Sequence, residues 1–253
     1  MRRAAFWQAV GFFIFQIGMA HAACHPDQGF SVYTGTIGKI PVRVALVLSN
    51  AAPVEGRYAY ATSASDIVLH GVLDAMGKHL TLIELDAAGQ PKATFDGTFA
   101  DHDPSFANGA VLNCEVITGK WQMKGQAPLD FHLTEDWSGS VGFGHLYDAA
   151  GVTNDEIVNS AAAAFRNAVM QNKRDIVAKA LIYPFETKVN GKMTRIASAR
   201  TLLAHYDSIF TSAYRATIAH DVPRLMFARD QGVMLGNGEV WFNPDGKVIT
   251  LNN

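Results

Sequence analysis

The sequence predicts an α+β protein in which an antiparallel all-β domain, a meander, barrel or sandwich, precedes a C-terminal α+β domain. The first observation is a series of about eight short strands of alternating polarity between residues 30 and 133, with turns between them. The second is a set of helical patterns that begins near residue 153. The third is a group of strand-like runs after residue 224, separated by Asn-Gly and Pro-Asp-Gly turns.

These patterns divide the chain into four segments. We expect a signal peptide at 1–22, the all-β domain at 23–134, a linker at 135–152 and the α+β domain at 153–253. The apolar fraction is 49% over 253 residues, which is enough to build a core in each domain.

The first segment has the three parts of a secretory signal peptide. Arg2-Arg3 gives a charged start, an apolar run follows at 7–19, and Ala20-His21-Ala22 has the small residues of a cleavage site. The apolar run is short for a membrane-spanning helix, and an uncleaved anchor is the alternative. The sequence therefore predicts a periplasmic or secreted protein without stable membrane insertion.

The two cysteines, Cys24 and Cys114, are expected to form a disulfide. After export the chain enters an oxidising compartment, where two cysteines are usually bridged. Such a bond would tie the mature N-terminus to the middle of the all-β domain. The alternative is a lipid anchor on Cys24, which we disfavour because His21 stands where a lipoprotein signal carries a branched apolar residue.

The charge of the chain is close to balanced, and this excludes one class of partner. The sequence has 21 Lys and Arg against 23 Asp and Glu, without a run of basic residues. A protein that binds nucleic acid needs a basic surface, so we expect no nucleic-acid partner. The sequence also predicts no cofactor and no metal site.

Two acidic clusters in the first half are interpreted as structural. Asp101-His102-Asp103 precedes Pro104, and adjacent strand residues point to opposite faces, so we expect a polar turn rather than a metal site. Glu84 and Asp86 share one face of a predicted strand, where two carboxylates can divide acid and base roles. Because a turn follows, a solvated strand face is the simpler expectation.

The linker combines glycines with aromatic residues. The aromatic residues Trp137, Phe143 and Tyr147 are interspersed with glycines at positions 139, 142, 144 and 151. We expect this segment to pack on a domain instead of swinging free. A binding lip is the functional alternative, since exposed aromatic residues contact partners.

The C-terminal domain is predicted to begin with two helices, starting at Thr153 or Asn154. A strand or hairpin follows, and then a long helix at 198–220. Ser198 is a good N-cap for that helix and Pro223 stops it, while Thr211-Ser212 is a point where it could break in two. Three strands complete the domain.

This order of elements resembles the nuclear-transport-factor-2-like, or cystatin-like cone, superfamily, as found in exported bacterial proteins. The segments that carry the resemblance are 181–185 (LIYPF), 206–210 (YDSIF), 232–236 (GVMLG) and 238–242 (GEVWF). The resemblance covers about the last hundred residues, a normal domain length. It implies a curled sheet and helix around a pocket, which serves isomerases or dehydratases in some members and ligand or protein binding in others.

If the resemblance holds, Tyr183, Tyr206 and Trp241 are the candidate ligand-contacting residues of this pocket. Tyr206 lies on the apolar face of the long helix, whereas Asp207 is about 100° further around and is expected to face away. Glu239 is the one acid that the predicted sheet offers. A base and a hydrogen-bond donor therefore do not come together, and we assign no catalytic residue.

The sequence thus favours an exported, non-catalytic binding or interaction protein. A protein partner is preferred over a small ligand, an immunity-type role is one form of it, and a homo-oligomer is a further option. The alternative is a small-molecule enzyme, isomerase-like or dehydratase-like, that uses the C-terminal pocket.

Overall fold

The computed structural model describes residues 29–48, 53–86, 88–100, 113–140, 142–230 and 232–253. The predicted signal peptide, Cys24 and the Asp101-His102-Asp103 turn lie outside these residues. The signal peptide, the bond between Cys24 and Cys114 and the polar turn therefore stay predictions. Among the helices described, none is both long and apolar enough to cross a membrane.

The N-terminal half is a closed antiparallel barrel of eight strands. Each strand pairs with the next one in the chain, and β1 also pairs with β8, so the sheet has no free edge. This confirms the predicted antiparallel all-β architecture and selects the barrel from the three options. The strands are β1 Phe30–Ile37, β2 Ile40–Val47, β3 Val54–Tyr60, β4 Ile67–Leu73, β5 His79–Leu85, β6 Pro91–Ala100, β7 Asn113–Met123 and β8 Leu129–Gly139.

Side chains fill the barrel interior. Alternate residues of each strand point inward, and several of them are aromatic. The rings of Tyr58, Phe95 and Phe131 form a row of edge-to-face contacts, with centroids 5.3 and 5.4 Å apart. The interior is therefore a packed core.

Two β-bulges aim charged side chains at buried partners. In β6, Glu84 of β5 faces Ala93 and Leu85 faces Pro91, so Lys92 is the extra residue. In β8, Val32 faces Trp137 and Tyr33 faces Glu135, which leaves Asp136 unpaired in the ladder.

The eighth strand continues past Thr134, where the sequence predicts the start of the linker. β8 ends at Gly139, and the connection that follows contains a 3₁₀ turn, Asp148–Ala150. Tyr147 is fully buried, and the ring of Phe143 lies 6.2 Å from that of Phe30. The connection packs against the protein, as its aromatic residues predict.

The C-terminal half contains five helices, a hairpin and a four-stranded antiparallel sheet within the described residues. The sheet order is β11-β12-β13-β14. The elements are α1 Asp155–Met170, α2 Arg174–Ala180, β9 Phe185–Val189, β10 Lys192–Ile196, α3 Ala199–Ala204, α4 Tyr206–Ile209, α5 Ser212–His220, β11 Phe227–Arg229, β12 Gly232–Leu235, β13 Val240–Phe242 and β14 Val248–Leu251. The α+β class predicted for the chain is therefore confirmed.

The predicted long helix is three short helices. His205 and Phe210 leave helical geometry, and the hydroxyl of Thr211 accepts a hydrogen bond from Tyr214 N at 3.2 Å, which caps α5. Thr211 is the break that the sequence indicates, whereas the interruption at His205 is not predicted. The sequence predicts one strand at 225–236, but the structure has two there, since β11 ends at Arg229 and β12 begins at Gly232.

One apolar core joins the two halves. Phe30, Val32 and Ala45, on the outer face of β1 and β2, belong to the same buried cluster as the C-terminal helices and sheet. On the inner face of that sheet, Phe242 packs edge-to-face on Phe165 of α1 at 6.0 Å. The barrel wall formed by β1 and β2 is therefore one boundary of the C-terminal core.

Candidate functional site

The three predicted ligand-contacting residues lie in three different surroundings. Tyr206 is 1% exposed in the C-terminal core and stacks on Phe210 at 4.6 Å. The hydroxyl of Tyr183 donates to Ala178 O at 2.7 Å, at the end of α2. Trp241 lies half-buried on the outer face of the four-stranded sheet, opposite the core. The structure therefore does not bring the three side chains together.

Tyr206 has an unusual hydroxyl for a core tyrosine. Its oxygen is buried and has no hydrogen-bond partner among the described residues. Burial raises the pKa of this phenol, and the guanidinium of Arg174, 4.8 Å from the ring centre, partly opposes the rise. Arg174 also binds both oxygens of Asp207, at 3.0 and 2.7 Å. Asp207 faces solvent, as predicted from the helical turn.

A groove of about 410 Å³ lies on the outer face of the C-terminal sheet. Trp241 and Met234 are cross-strand partners in it, and Ile249 of β14 joins them because it is the extra residue of a bulge. The volume falls within the range of small ligand sites. The lining residues are Arg229, Met234, Asn237, Gly238, Trp241, Ile249, Thr250 and Asn252.

The walls of this groove are held by defined contacts. The guanidinium of Arg229 lies 4.9 Å from the ring centre of Trp241, which is a cation–π distance. Asn252 donates from its side chain to Gly238 O at 2.6 Å and from its backbone to Glu239 O at 2.9 Å. The aromatic floor and the amide rim are therefore positioned before any ligand binds.

Two carboxylates meet behind the rim of the groove. Gly236 has φ +67°, and a Cβ on it would collide with one carboxylate oxygen of Asp221 and one of Glu239. Asp221 follows α5, and Glu239 lies in the turn between β12 and β13. Sequence reasoning missed Asp221, and the structure supplies the second acid that the predicted sheet lacked.

Asp221 holds its proton more strongly than an ordinary aspartate. Burial raises the pKa of Asp221 to about 7, and the charge of Glu239 adds to the rise. The charges of Arg43 and Arg166 oppose it. Asp221 Oδ2 is buried and accepts no hydrogen bond from the described residues, so this oxygen of the anion is not stabilised by a hydrogen bond from them.

Two buried arginines, one in the barrel and one in the C-terminal half, connect the two halves. Arg43 of β2 donates to Leu225 O at 3.0 Å and lies 3.0 Å from the bulge residue Asp136. Arg224 donates to Asp66 of the barrel at 2.6 Å and to Glu156 of α1 at 2.6 Å. Hydrogen bonding to Arg224 lowers the pKa of Glu156.

The expectation that Glu84 and Asp86 lie on a solvated strand face is wrong for Glu84. Glu84 points into the barrel, is 1% exposed, and accepts bonds from Tyr58 at 2.5 Å and Lys92 at 2.6 Å. Asp86 instead accepts from the backbone of Ala88 and Gln90 in the following turn. The bulge at Lys92, which the sequence does not reveal, makes the inward position tolerable.

Within the ranges that the structure describes, no three His, Cys, Asp or Glu side chains converge as metal ligands. Comparisons of the chain with protein-family models, with curated proteins and with solved structures found no match.

Proposed function

We propose that this chain is an exported, periplasmic binding protein that contacts a protein partner through the outer face of its C-terminal sheet. The observation that carries the proposal is the groove floored by Trp241, with Arg229 stacked on the indole at 4.9 Å. Tryptophan and arginine are the residue types that most often dominate the energy of protein interfaces. Export is supported by the charged, apolar and small-residue pattern of the first 22 residues.

The chemistry of the groove suits part of a protein chain. Met234 and Ile249 offer apolar contacts beside the indole, while Asn237 and Asn252 at the rim are exposed amides that can bond to a backbone. An apolar centre with a polar rim is the usual anatomy of a specific interface. The partner is therefore expected to insert an apolar side chain over Trp241.

Site-specific photo-crosslinking in the envelope of the producing cell tests this proposal. A photoreactive phenylalanine at position 237, on the groove rim, should give one crosslinked partner, and Trp241→Ala should reduce the yield at least tenfold. The matched control places the probe at Val72, an exposed position on β4 of the barrel. Equal yields from positions 237 and 72, or full yield in Trp241→Ala, would contradict binding through the groove.

A second function, a small-molecule enzyme in the C-terminal core, rests on one observation. The buried hydroxyl of Tyr206 has no partner among the described residues, and it is a donor that a bound substrate can use. This alternative follows the nuclear-transport-factor-2-like resemblance, which we retain as a proposal for the last hundred residues.

Solvent deuterium exchange separates the two functions. An isomerase or dehydratase that works by general base catalysis next to a carbonyl removes a proton there, so such an enzyme would label ketone or hydroxy-acid substrates in D₂O. We expect no protein-dependent labelling of a small panel of these compounds. Labelling that disappears in Tyr206→Phe and Asp207→Asn, with both variants folded, would favour the enzyme.

A further inference from the structure

The turn between β12 and β13, residues 236–239, belongs to two sites at once. Asn237 and Gly238 line the groove on one side. On the other side, Gly236 O accepts a hydrogen bond from Arg43 of the barrel at 3.5 Å, and the carboxylate of Glu239 faces Asp221. A change in the charge of the carboxylate pair therefore acts on a segment that also shapes the groove.

Among the described residues, the charged and titratable groups around Asp221 come from the β12–β13 turn, β2, α1 and α5, and none of them hydrogen-bonds to its Oδ2. Glu239 faces it from the turn. Arg43 of β2 is engaged with Asp136 and with the backbone of the C-terminal domain, and Arg166 of α1 donates to Ala219 O. From α5, the hydroxyl of Tyr214 donates to Glu239 O at 2.5 Å.

The pair therefore has two charge states in the range near neutral pH. With the pKa of Asp221 at about 7, this carboxyl holds a proton in mildly acidic solution and has lost it in alkaline solution. In the second state two negative charges meet at Gly236, where no side chain separates them. Because like charges at short distance repel, the loss of the proton favours separation of Glu239 from Asp221.

We propose that proton binding at the Asp221–Glu239 pair controls partner binding in the groove. This inference rests on the proposed function, because it names the regulation of the same groove. When the pair holds a proton, Glu239 stays against Asp221, and Asn237 and Gly238 keep the position seen in the structure. When the proton leaves, the turn moves and the rim of the groove moves with it. Partner binding is then tighter below neutral pH than above it.

A nuclear magnetic resonance titration of the uniformly ¹⁵N-labelled protein tests the first half of the proposal without any partner. Between pH 5 and 9, the amide signals of Asn237 and Gly238 and the indole signal of Trp241 should shift together, with one midpoint near pH 7. Asp221→Asn should abolish this transition. Signals that do not shift, or that shift equally in Asp221→Asn, would overturn the proposal.

Three further variants make the titration specific. Asp245→Asn removes an exposed carboxylate in the next turn of the sheet and should leave the transition intact. His220→Gln is needed because histidine side chains also ionise near neutral pH, and it too should leave the transition intact. Glu239→Gln removes the second cause of the raised pKa of Asp221, so the midpoint should move to lower pH. If Asp221→Asn does not fold, an unmoved midpoint in Glu239→Gln overturns the proposal by itself.

The second half is measured with the crosslinking probe at position 237. The yield of the crosslinked partner should be several-fold higher at pH 6 than at pH 8, and Asp221→Asn should remove the difference. A turn that titrates without any change in yield would refute the regulatory role while leaving the binding function in place. The absence of a crosslink at both pH values would refute the binding function, and the control of binding proposed here would fall with it.

Discussion

Glu84 in the barrel and Asp221 beside the groove are both removed from water, but their surroundings treat the negative charge in opposite ways. Glu84 receives a phenol on one oxygen and an ammonium on the other, from Tyr58 and Lys92. Asp221 has an oxygen that accepts no hydrogen bond from the described residues, and it faces a second carboxylate instead of a cation. The hydrogen bonds to Glu84 hold its carboxylate in one position within the barrel. Asp221, in contrast, can bind and release a proton near neutral pH.

The largest change in stability is expected when the ion pair between Glu84 and Lys92 in the barrel is broken. Lys92→Met removes the ammonium and leaves the carboxylate of Glu84 buried with one donor. We expect a loss of about 2–3 kcal/mol in the free energy of unfolding, below the usual cost of breaking a buried pair because Lys92 is half-exposed. Urea denaturation at pH 7 measures it.

The matched control for this change is Lys120→Met. Lys120 and Asp130 form an ion pair of similar length, 2.5 Å, but both side chains are exposed. A surface pair of this kind contributes at most about 1 kcal/mol. Equal losses in the two variants would show that Glu84 is not stabilised as the barrel geometry indicates.

An intermediate effect on stability is expected at Asp221, and its size depends on pH. The unfolded chain loses this proton near the ordinary value of 3.8, whereas the folded protein keeps it up to about 7. The folded state therefore binds more protons between these values, and the free energy of unfolding falls as pH rises from 4 to 7. Asp221→Asn removes this dependence and should be more stable than the parent at pH 8 by about 1–2 kcal/mol, a figure reduced for partial solvent access.

Thermal and urea unfolding at pH 5 and pH 8 test the Asp221 prediction. At pH 5 the folded parent carries its proton and only part of the interval from 3.8 to about 7 has been crossed, so the stabilisation by Asp221→Asn should be clearly smaller than at pH 8. Asp245→Asn, in an exposed turn, should follow the parent at both pH values. A stabilisation that is the same at pH 5 and pH 8 would argue against a buried proton.

The smallest effect is expected at the unpartnered phenol of the core. Tyr206→Phe removes a hydroxyl that makes no hydrogen bond with the described residues, so stability should be unchanged or raised by about 0.5 kcal/mol. Tyr214→Phe is the matched control, because its hydroxyl donates to Glu239 O and its loss should cost about 1 kcal/mol. A clear loss in Tyr206→Phe would indicate a partner for the hydroxyl in solution.

The strands of the barrel could be predicted because alternation and turns are local signals. Closure could not, since the pairing of β1 with β8 joins residues about a hundred positions apart and leaves no periodic trace. The bulges at Lys92 and Asp136 are also hidden, because one extra residue changes the direction of a side chain without changing composition. Lys92 pairs with the buried Glu84, and Asp136 pairs with the buried Arg43.

The candidate site was less accessible to sequence reasoning than the fold. The sequence indicates Trp241 for a pocket in the core, but strand alternation turns its side chain outward, because its neighbours Val240 and Phe242 take the inward positions. Asp221 follows the end of a helix and carries no motif. Its pairing with Glu239 depends on the turn at Gly236, which is a tertiary contact.

The burial of Arg43 and Ala45 on the outside of the barrel has a practical consequence for dissecting the protein. The outer side of β2 is covered by the C-terminal half. A barrel produced alone would therefore expose Arg43 and the apolar residues around it to solvent. A C-terminal fragment would likewise expose the backbone carbonyls of Leu225 and Gly236 to which Arg43 donates, and it would lose Asp66, one of the two acids that bind Arg224. We therefore expect fragments of this chain to self-associate, and a truncated piece without activity would not by itself show that the missing part carries the function.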